Sequence, residues 1–306
     1  MSEVLVLQHV NKRFGARPVV QDVSFSVQEG EIFGFLGPNG AGKTTTIKMI
    51  LGLLSMDSGT ILVNGKNIET EFESAMRYIS GIVENPDMYA FLSGYDNLRL
   101  YARACGVDDS RIDQVVQMVG MQNRIHEKFK SYSLGMKQRL GVAQALLHNP
   151  KIMILDEPTN GLDPAGIKDF RDLLRNLAHT QGLSVLVSSH ILQEMQLMCD
   201  RVGIVSNGRL LQVASMEEMT QSSGTGTYRY VLQPMERAAA WLREKMPDRI
   251  ADLAAEHVDL RLTAEEVPQL NRGLMENGID LYGLSLLSNS LEQTFMEITG
   301  GGNVIG

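Results

Sequence analysis

Gly37-Pro38-Asn39-Gly40-Ala41-Gly42-Lys43-Thr44 is a complete G-x-x-x-x-G-K-[ST] pattern, the mark of a phosphate-binding loop between a strand and a helix. Ahead of it, Glu31 to Leu36 reads as a short buried strand. After it, Lys43 to Leu54 reads as a helix, which completes the strand–loop–helix setting that the pattern requires. Gly37, Gly40 and Gly42 carry no Cβ, so the loop can curl round a phosphate and aim its backbone N–H groups inward, at the positive end of the helix. The stretch therefore predicts a nucleotide site whose contacts run from Gly37 through Pro38, Asn39, Gly40, Ala41 and Gly42 to Thr45. Within it Lys43 is expected to reach the β- and γ-phosphates and to act in catalysis, while the Thr44 hydroxyl is expected to ligate Mg²⁺.

With 306 residues, 43% hydrophobic and 21% charged, the chain can bury a large core and is expected to form one main domain and a smaller one. The net charge is −8 and no Lys/Arg block stands out, so the composition points away from a nucleic-acid partner. Cys105 and Cys199 lie far apart, outside any metal or redox spacing, and read as small buried hydrophobes in a reducing compartment. Apolar runs such as Lys151 to Leu155 and Leu183 to Val187 fall far short of the roughly 18 apolar residues of a membrane span. The N-terminus lacks a charged-then-apolar leader pattern. Any membrane role is thus expected to run through a partner.

Residues 3 to 7 and 19 to 28 alternate apolar and polar, as half-buried antiparallel strands do. Gly59 to Gly65 reads as a strand ending in an Asn-Gly turn, which places a β-rich layer beside the nucleotide core. From Pro86 to His148 the texture becomes helical, with helices over Asp96 to Cys105, over Arg111 to Val119, and from Ser133. Lys151 to Leu155, Ser184 to Ser188 and Val202 to Ser206 are short continuous apolar strands of the kind buried in parallel sheets. Ser222-Ser223-Gly224-Thr225-Gly226-Thr227 reads as a linker. Beyond it come a strand (Tyr228 to Leu232), a helix (Met235 to Lys245), a strand (His257 to Leu262), a helix (Glu265 to Glu276), a strand (Leu281 to Leu287) and a helix (Ser290 to Ile298). This is a small α+β appendage of ferredoxin-like alternation, without a catalytic motif. The expected domains are residues 1–221, with the helical subdomain over about 86–148, and residues 228–306.

A phosphate loop alone fits a kinase, a GTPase, a recombinase or a transport ATPase, so the other motifs decide. Ile152-Met153-Ile154-Leu155-Asp156-Glu157 is an apolar strand ending in two carboxylates. Asp156 can hold Mg²⁺, and Glu157, one residue on, can orient and deprotonate an attacking water. Ser133-Leu134-Gly135-Met136-Lys137-Gln138-Arg139 opens a helix with Ser133 as N-cap. This segment resembles the Leu-Ser-Gly-Gly-Gln signature of the ABC ATPase family, with Ser133 and Gly135 in register and Tyr132, Leu134 and Met136 departing from it.

The resemblance spans about residues 3 to 220 and implies a P-loop NTPase (α/β) core with a β-rich layer and an inserted helical subdomain. It also implies a head-to-tail pair of subunits, identical or different, sandwiching two ATP, with Ser133 and Gly135 offered to the γ-phosphate bound by the partner. Pro158-Thr159-Asn160-Gly161-Leu162-Asp163 resembles the family's D-loop, which makes Asp163 a nucleotide-site residue. His190, in Ser188-Ser189-His190, resembles the switch histidine that contacts the γ-phosphate and acts in catalysis. Phe14 falls where the family stacks an aromatic on adenine. Glu84 stands where most members have a glutamine that approaches Mg²⁺ and the attacking water, and the segment from Asn85 to Tyr95 follows as a docking surface. Residues 132–139, Glu84 and the tail Ser290-Leu291-Glu292-Gln293-Thr294-Phe295 are most similar to the ATP-binding subunits of bacitracin-resistance and lantibiotic-immunity exporters.

The implied function is ATP hydrolysis on the cytoplasmic face of a membrane, driving a separate permease that exports a peptide antibiotic or similar amphiphile. Two other classes compete. A non-transport ABC ATPase acting on ribosomes or chromosomes would carry two cassettes or a long coiled coil, whereas this chain has one cassette and no sustained heptads between Lys43 and Ser133. A small-molecule kinase would have no use for the signature segment.

Overall fold

The computed structural model describes residues 2–220, 225–263 and 265–287. In chain order they form β1 (Glu3–Phe14), β2 (Arg17–Gln28), β3 (Ile32–Leu36), α1 (Lys43–Ile50), β4 (Ser58–Val63), β5 (Lys66–Asn67), α2 (Phe72–Met76), β6 (Ile79–Ile82), α3 (Gly94–Ala104), α4 (Asp109–Met118) and α5 (Leu134–Leu146). There follow β7 (Ile152–Asp156), α6 (Pro164–His179), β8 (Ser184–Ser189), α7 (Leu192–Met198), β9 (Arg201–Ser206), β10 (Arg209–Ser215) and α8 (Met216–Thr220). The last are β11 (Thr225–Gln233), α9 (Met235–Lys245), β12 (Ile250–Leu253), β13 (Val258–Thr263), α10 (Glu266–Glu276) and β14 (Asp280–Leu287). The chain divides into two compact units, one ending at Ser215 and the other beginning at Met216.

The first unit is built on a six-stranded sheet of order β10-β9-β3-β8-β7-β6. Every neighbouring pair is parallel except the terminal β10–β9 hairpin. β3, β7 and β8 are buried along their whole length, which explains their continuous apolar sequence. A second, antiparallel sheet of order β2-β1-β4-β5 lies beside it, and Phe25 of β2 stacks on Phe33 and Phe35 of β3 with ring centroids 5.0 and 5.3 Å apart. That stack ties the β-rich layer to the strand feeding the phosphate loop. β1 and β2 each run 12 residues, longer than their alternating stretches, because register shifts interrupt the alternation. His9 (φ +52°) and Asp22 (φ +55°) sit at those irregularities, and His9 Nδ1 and Asp22 Oδ1 are 2.7 Å apart. The turn after β4 has Asn64 and Gly65 both at positive φ (48° and 75°), as a tight hairpin demands.

Helix α1 stops at Ile50, four residues before the sequence-predicted end at Leu54. Gly52 takes φ +67°, its N–H donates to the Met49 carbonyl, and the Leu53 N–H donates to Lys48. These are the two bonds of a Schellman cap. The helical insertion appears as α3, α4 and α5, whose N-caps are the side chains of Ser93, Asp108 and Ser133. Cys199 is buried as expected, and burial pushes its thiol pKa far up. Cys105 is exposed instead, because it caps the surface end of α3.

The second unit carries an antiparallel sheet of order β12-β13-β11-β14 with α9 and α10 as its connections, the ferredoxin-like arrangement. Tyr230, Leu232, Leu242, Val258, Leu260 and Leu274 form its own core. Thr225 to Thr227, expected as linker, belong to β11 and pair with β13, and Thr227 also pairs with Leu287 of β14. Backbone pairing there overrides a small, polar composition. The expected helix from Ser290 to Ile298, the exporter-like tail and Ser222 to Gly224 of the linker lie outside the described residues.

Candidate active site

The phosphate loop joins the end of β3 to α1, and two of its glycines take conformations that side chains resist. Gly40 has φ +79° and Gly42 φ +99°. Gly37 is required for a different reason: a Cβ there would lie 2.3 Å from the Val205 carbonyl oxygen of β9. Gly37→Ala must push β9 away from the loop, and overpacking of this kind costs about 1–3 kcal/mol. A lowered melting temperature together with weakened ATP binding is expected for that variant; an unchanged melting curve would show that the loop does not pack against β9 as described.

Lys43, 5% exposed, folds its side chain back across the loop. Its Nζ donates to the carbonyls of Gly37 (2.7 Å) and Pro38 (3.2 Å) and lies 3.2 Å from Glu157 Oε1. Thr44 Oγ1 donates to Asp156 Oδ2 at 2.8 Å. Asp156 ends β7, so the register of the sheet carries its carboxylate to the mouth of the loop. Thr45 is half-buried on α1, and Asn39 and Gly40 are exposed at the loop's tip.

Glu157 follows with φ +49°, an uncommon conformation for a residue with a side chain. Its N–H is held by Ser188, by the hydroxyl oxygen at 3.0 Å and the carbonyl at 3.2 Å. The Ser188 hydroxyl in turn donates to Asp156 Oδ1 at 2.6 Å. One serine thus fixes both carboxylate residues. Ser188 is the residue that sequence reading missed, although it stands within Ser188-Ser189-His190. The available signal was the pairing of β7 with β8, which sets Ser188 opposite Asp156. His190 Nδ1 lies 2.9 Å from Glu157 Oε2. An ionised carboxylate only accepts, so the Nδ1–H donates to it and the tautomer is fixed. Glu157 is accordingly gripped from two sides, by Lys43 and by His190.

Whether these residues suit a divalent cation is decided by their donor set. The Thr44 hydroxyl and the Asp156 carboxylate are hard oxygen ligands 2.8 Å apart, close to the spacing of neighbouring ligands around Mg²⁺, about 3 Å for ligand bonds of 2.0–2.1 Å. The set fits.

The remaining predicted residues stand elsewhere. Ser133 caps α5 by accepting from the Met136 N–H at 3.3 Å, and Asp163 caps α6 by accepting from Gly166 at 2.9 Å. Ser133, Gly135 and Asp163 line one cleft, of about 500 Å³, whose walls include no phosphate-loop residue. Phe14, at the end of β1, is 52% exposed, so it is not core, and Lys12 Nζ lies 5.9 Å from its ring centroid. Glu84 sits past the end of β6 with φ +65° and is exposed.

Residues 20–160 match the family model for the ABC transporter. The ABC transporter ATP-binding protein YhcH of Bacillus subtilis is 46% identical, over 98% of this chain and 97% of its own length. The chain belongs to the ABC transporter ATP-binding family. It is an ATPase whose hydrolysis is coupled to transport. The bacitracin transport ATP-binding protein BcrA of Bacillus licheniformis is 36% identical over 99% of this chain and the whole of its own length, so that ABC protein shares the second unit as well. A solved ATP-binding subunit of an ABC transporter superposes with a TM-score of 0.64 at 31% identity, covering 72% of this chain and 93% of that one.

Proposed function

We propose that the chain works as one of a pair of ATPase subunits on the cytoplasmic face of a membrane, where it drives export of a peptide antibiotic or similar amphiphile through a separate permease. The observation that carries the catalytic part is the position of Glu157, gripped by Lys43 and His190 one residue from the Asp156–Thr44 pair. In this reading the phosphate loop from Gly37 to Thr45 binds the triphosphate of ATP and Phe14 stacks on its adenine. Lys43 moves from the Gly37 and Pro38 carbonyls to the phosphates, and Thr44 and Asp156 hold Mg²⁺. When bound, that ion neutralises charge developing on the transferred phosphoryl group. Glu157 accepts a proton from the attacking water, while His190 fixes the carboxylate's orientation.

Pairing of subunits is supported by the separate cleft that holds Ser133, Gly135 and Asp163, since a capped helix N-terminus offers N–H groups and a positive dipole end to an anion. A second subunit could supply its own cleft to this chain's bound ATP. The residues from Met216 onward are proposed as an accessory domain, contributing to contact or regulation.

No helix among the described residues is long and apolar enough to cross a membrane. Docking on a permease is supported by the stretch after β6. Glu84 begins it, Tyr89 and Phe91 are both exposed with ring centroids 5.7 Å apart, and a groove of about 710 Å³ runs beside it past Asn85, Pro86, Tyr101 and His148. Export of a peptide antibiotic is supported by the BcrA relative, a bacitracin transport protein. The test is purification of the tagged chain from gently solubilised membranes. Recovery of one multi-spanning membrane protein, lost on replacing Phe91 and Tyr89 by Asp, is expected. Recovery of ribosomal or chromosomal material instead would favour the competing class.

A further inference from the structure

Glu194 is a buried carboxylate that the chemistry above does not use. It lies on α7, is 9% exposed, and accepts a hydrogen bond from the Thr159 hydroxyl, itself 3% exposed. A buried charge is costly unless it is hydrogen-bonded, and a buried hydroxyl has one proton to give. The pair therefore fixes the Thr159 rotamer, and with it the turn in which Thr159 sits. That turn runs from Glu157 to Leu162, closed by the Asn160 N–H on the Glu157 carbonyl (3.2 Å) and the Leu162 N–H on the Thr159 carbonyl (3.1 Å). It ends at Asp163, which caps α6.

The chain segments joined by Thr159–Glu194 are the same two joined by Glu157–His190. β7 and β8 run parallel and side by side, with Asp156 opposite Ser188, and past their ends each turns away. Two struts then bridge the gap, His190 to Glu157 at 2.9 Å and, further out, Glu194 to Thr159. His190 and Glu194 are four residues apart on one segment, and Glu157 and Thr159 two apart on the other. With a single strut the turn could pivot about Glu157. With both, any shift of His190 and α7 must carry the turn, and Asp163 with it.

We propose that Glu194 is a positioning residue that couples the Glu157–His190 pair to the turn bearing Asp163, so that the state of one ATP site is passed to the subunit contact. The proposal rests on the paired-subunit reading above. Its signature is a loss of turnover and of cooperativity between sites without loss of ATP affinity, since neither Glu194 nor Thr159 belongs to the phosphate loop.

The test measures ATPase rate against ATP concentration, with melting curves, for the parent chain, Glu194→Ala, Thr159→Val, Glu194→Gln and the double variant Thr159→Val/Glu194→Ala. For the two single truncations kcat is expected to fall about tenfold, equivalent to about 1.4 kcal/mol of barrier, with KM for ATP within about twofold of the parent. Sigmoidal dependence on ATP should flatten in both. Glu194→Gln, whose amide oxygen can still accept from Thr159, should recover most of the turnover. The double variant should be no worse than either single one, because both remove the same contact. Parental kcat in folded Glu194→Ala and Thr159→Val, a Glu194→Gln as damaged as Glu194→Ala, or additive losses in the double variant would each overturn the proposal. A parent chain that is itself hyperbolic in ATP and monomeric would instead remove the paired-subunit reading on which it rests.

Discussion

Glu157→Gln is expected to lower ATP turnover by about 10²–10⁴-fold, the usual contribution of a positioned general base, while ATP still binds. The glutamine amide keeps the shape and one acceptor oxygen, so the Glu157 site stays filled and Ser188 can still hold its backbone N–H. What disappears is basicity, and with it the negative charge that draws Lys43 Nζ to 3.2 Å. Phosphate release under saturating Mg²⁺ and ATP reads the loss, and a fluorescent ATP analogue reads the retained binding. Paired subunits should accumulate when ATP is added to this variant. Turnover within a few-fold of the parent would remove Glu157 from the role of base and leave the buried Asp156 as the nearest carboxylate.

Lys43→Ala is expected to act one step earlier. In the parent Lys43 is buried and spends its donors on two loop carbonyls and Glu157, all of which can be exchanged for phosphate oxygens. Losing a charge-assisted bond to a phosphate removes about 1.5–3 kcal/mol, so the Kd for ATP should rise by about 10–100-fold. The substitution also withdraws one of the two groups gripping Glu157, so turnover at saturating ATP should fall as well. Equilibrium binding and initial rates separate the two effects. A variant whose Kd is unchanged would show that the Gly37–Lys43 contacts seen here are structural only.

The core and the grouping of Lys43, Thr44, Asp156 and Glu157 were legible because they depend on short-range chemistry. A strand of continuous apolar residues, a loop with glycine at the positions a side chain would obstruct and a helix with threonine in its first turn are all written locally, and so is Asp156-Glu157 at the end of an apolar run. The parallel sheet, the helical insertion and the antiparallel layer followed the same cues. Ser188 was overlooked because its role comes from cross-strand register, which pairs residues 32 positions apart in sequence. The early end of α1 was written in Leu51-Gly52, a glycine just past the helix, yet the apolar residues after it prolonged the helical pattern. Thr225 to Thr227 look like linker by composition, yet pairing with β13, joined at Thr227 by β14, holds residues of weak strand character in β11. For Glu84 the family pattern implies an approach to the metal, and the chain sets it just past the end of β6, exposed, where the stretch proposed to dock on a permease begins. Ser133 and Asp163 show the reverse case: each is a helix cap by ordinary local rules, and only their shared cleft, apart from the phosphate loop, gives them further meaning.

In the proposed pairing a complete ATP site takes its phosphate loop from one subunit and its signature cleft from another. Mixing Lys43→Ala chains with Ser133→Arg chains separates this arrangement from a site built within one chain. Each variant alone should be nearly inactive. A mixed pair contains one site with both lesions and one site with neither, so ATPase activity is predicted to return on mixing, in proportion to the fraction of mixed pairs. If the two variants demonstrably associate and the mixture stays as inactive as its components, the proposed composite site is contradicted.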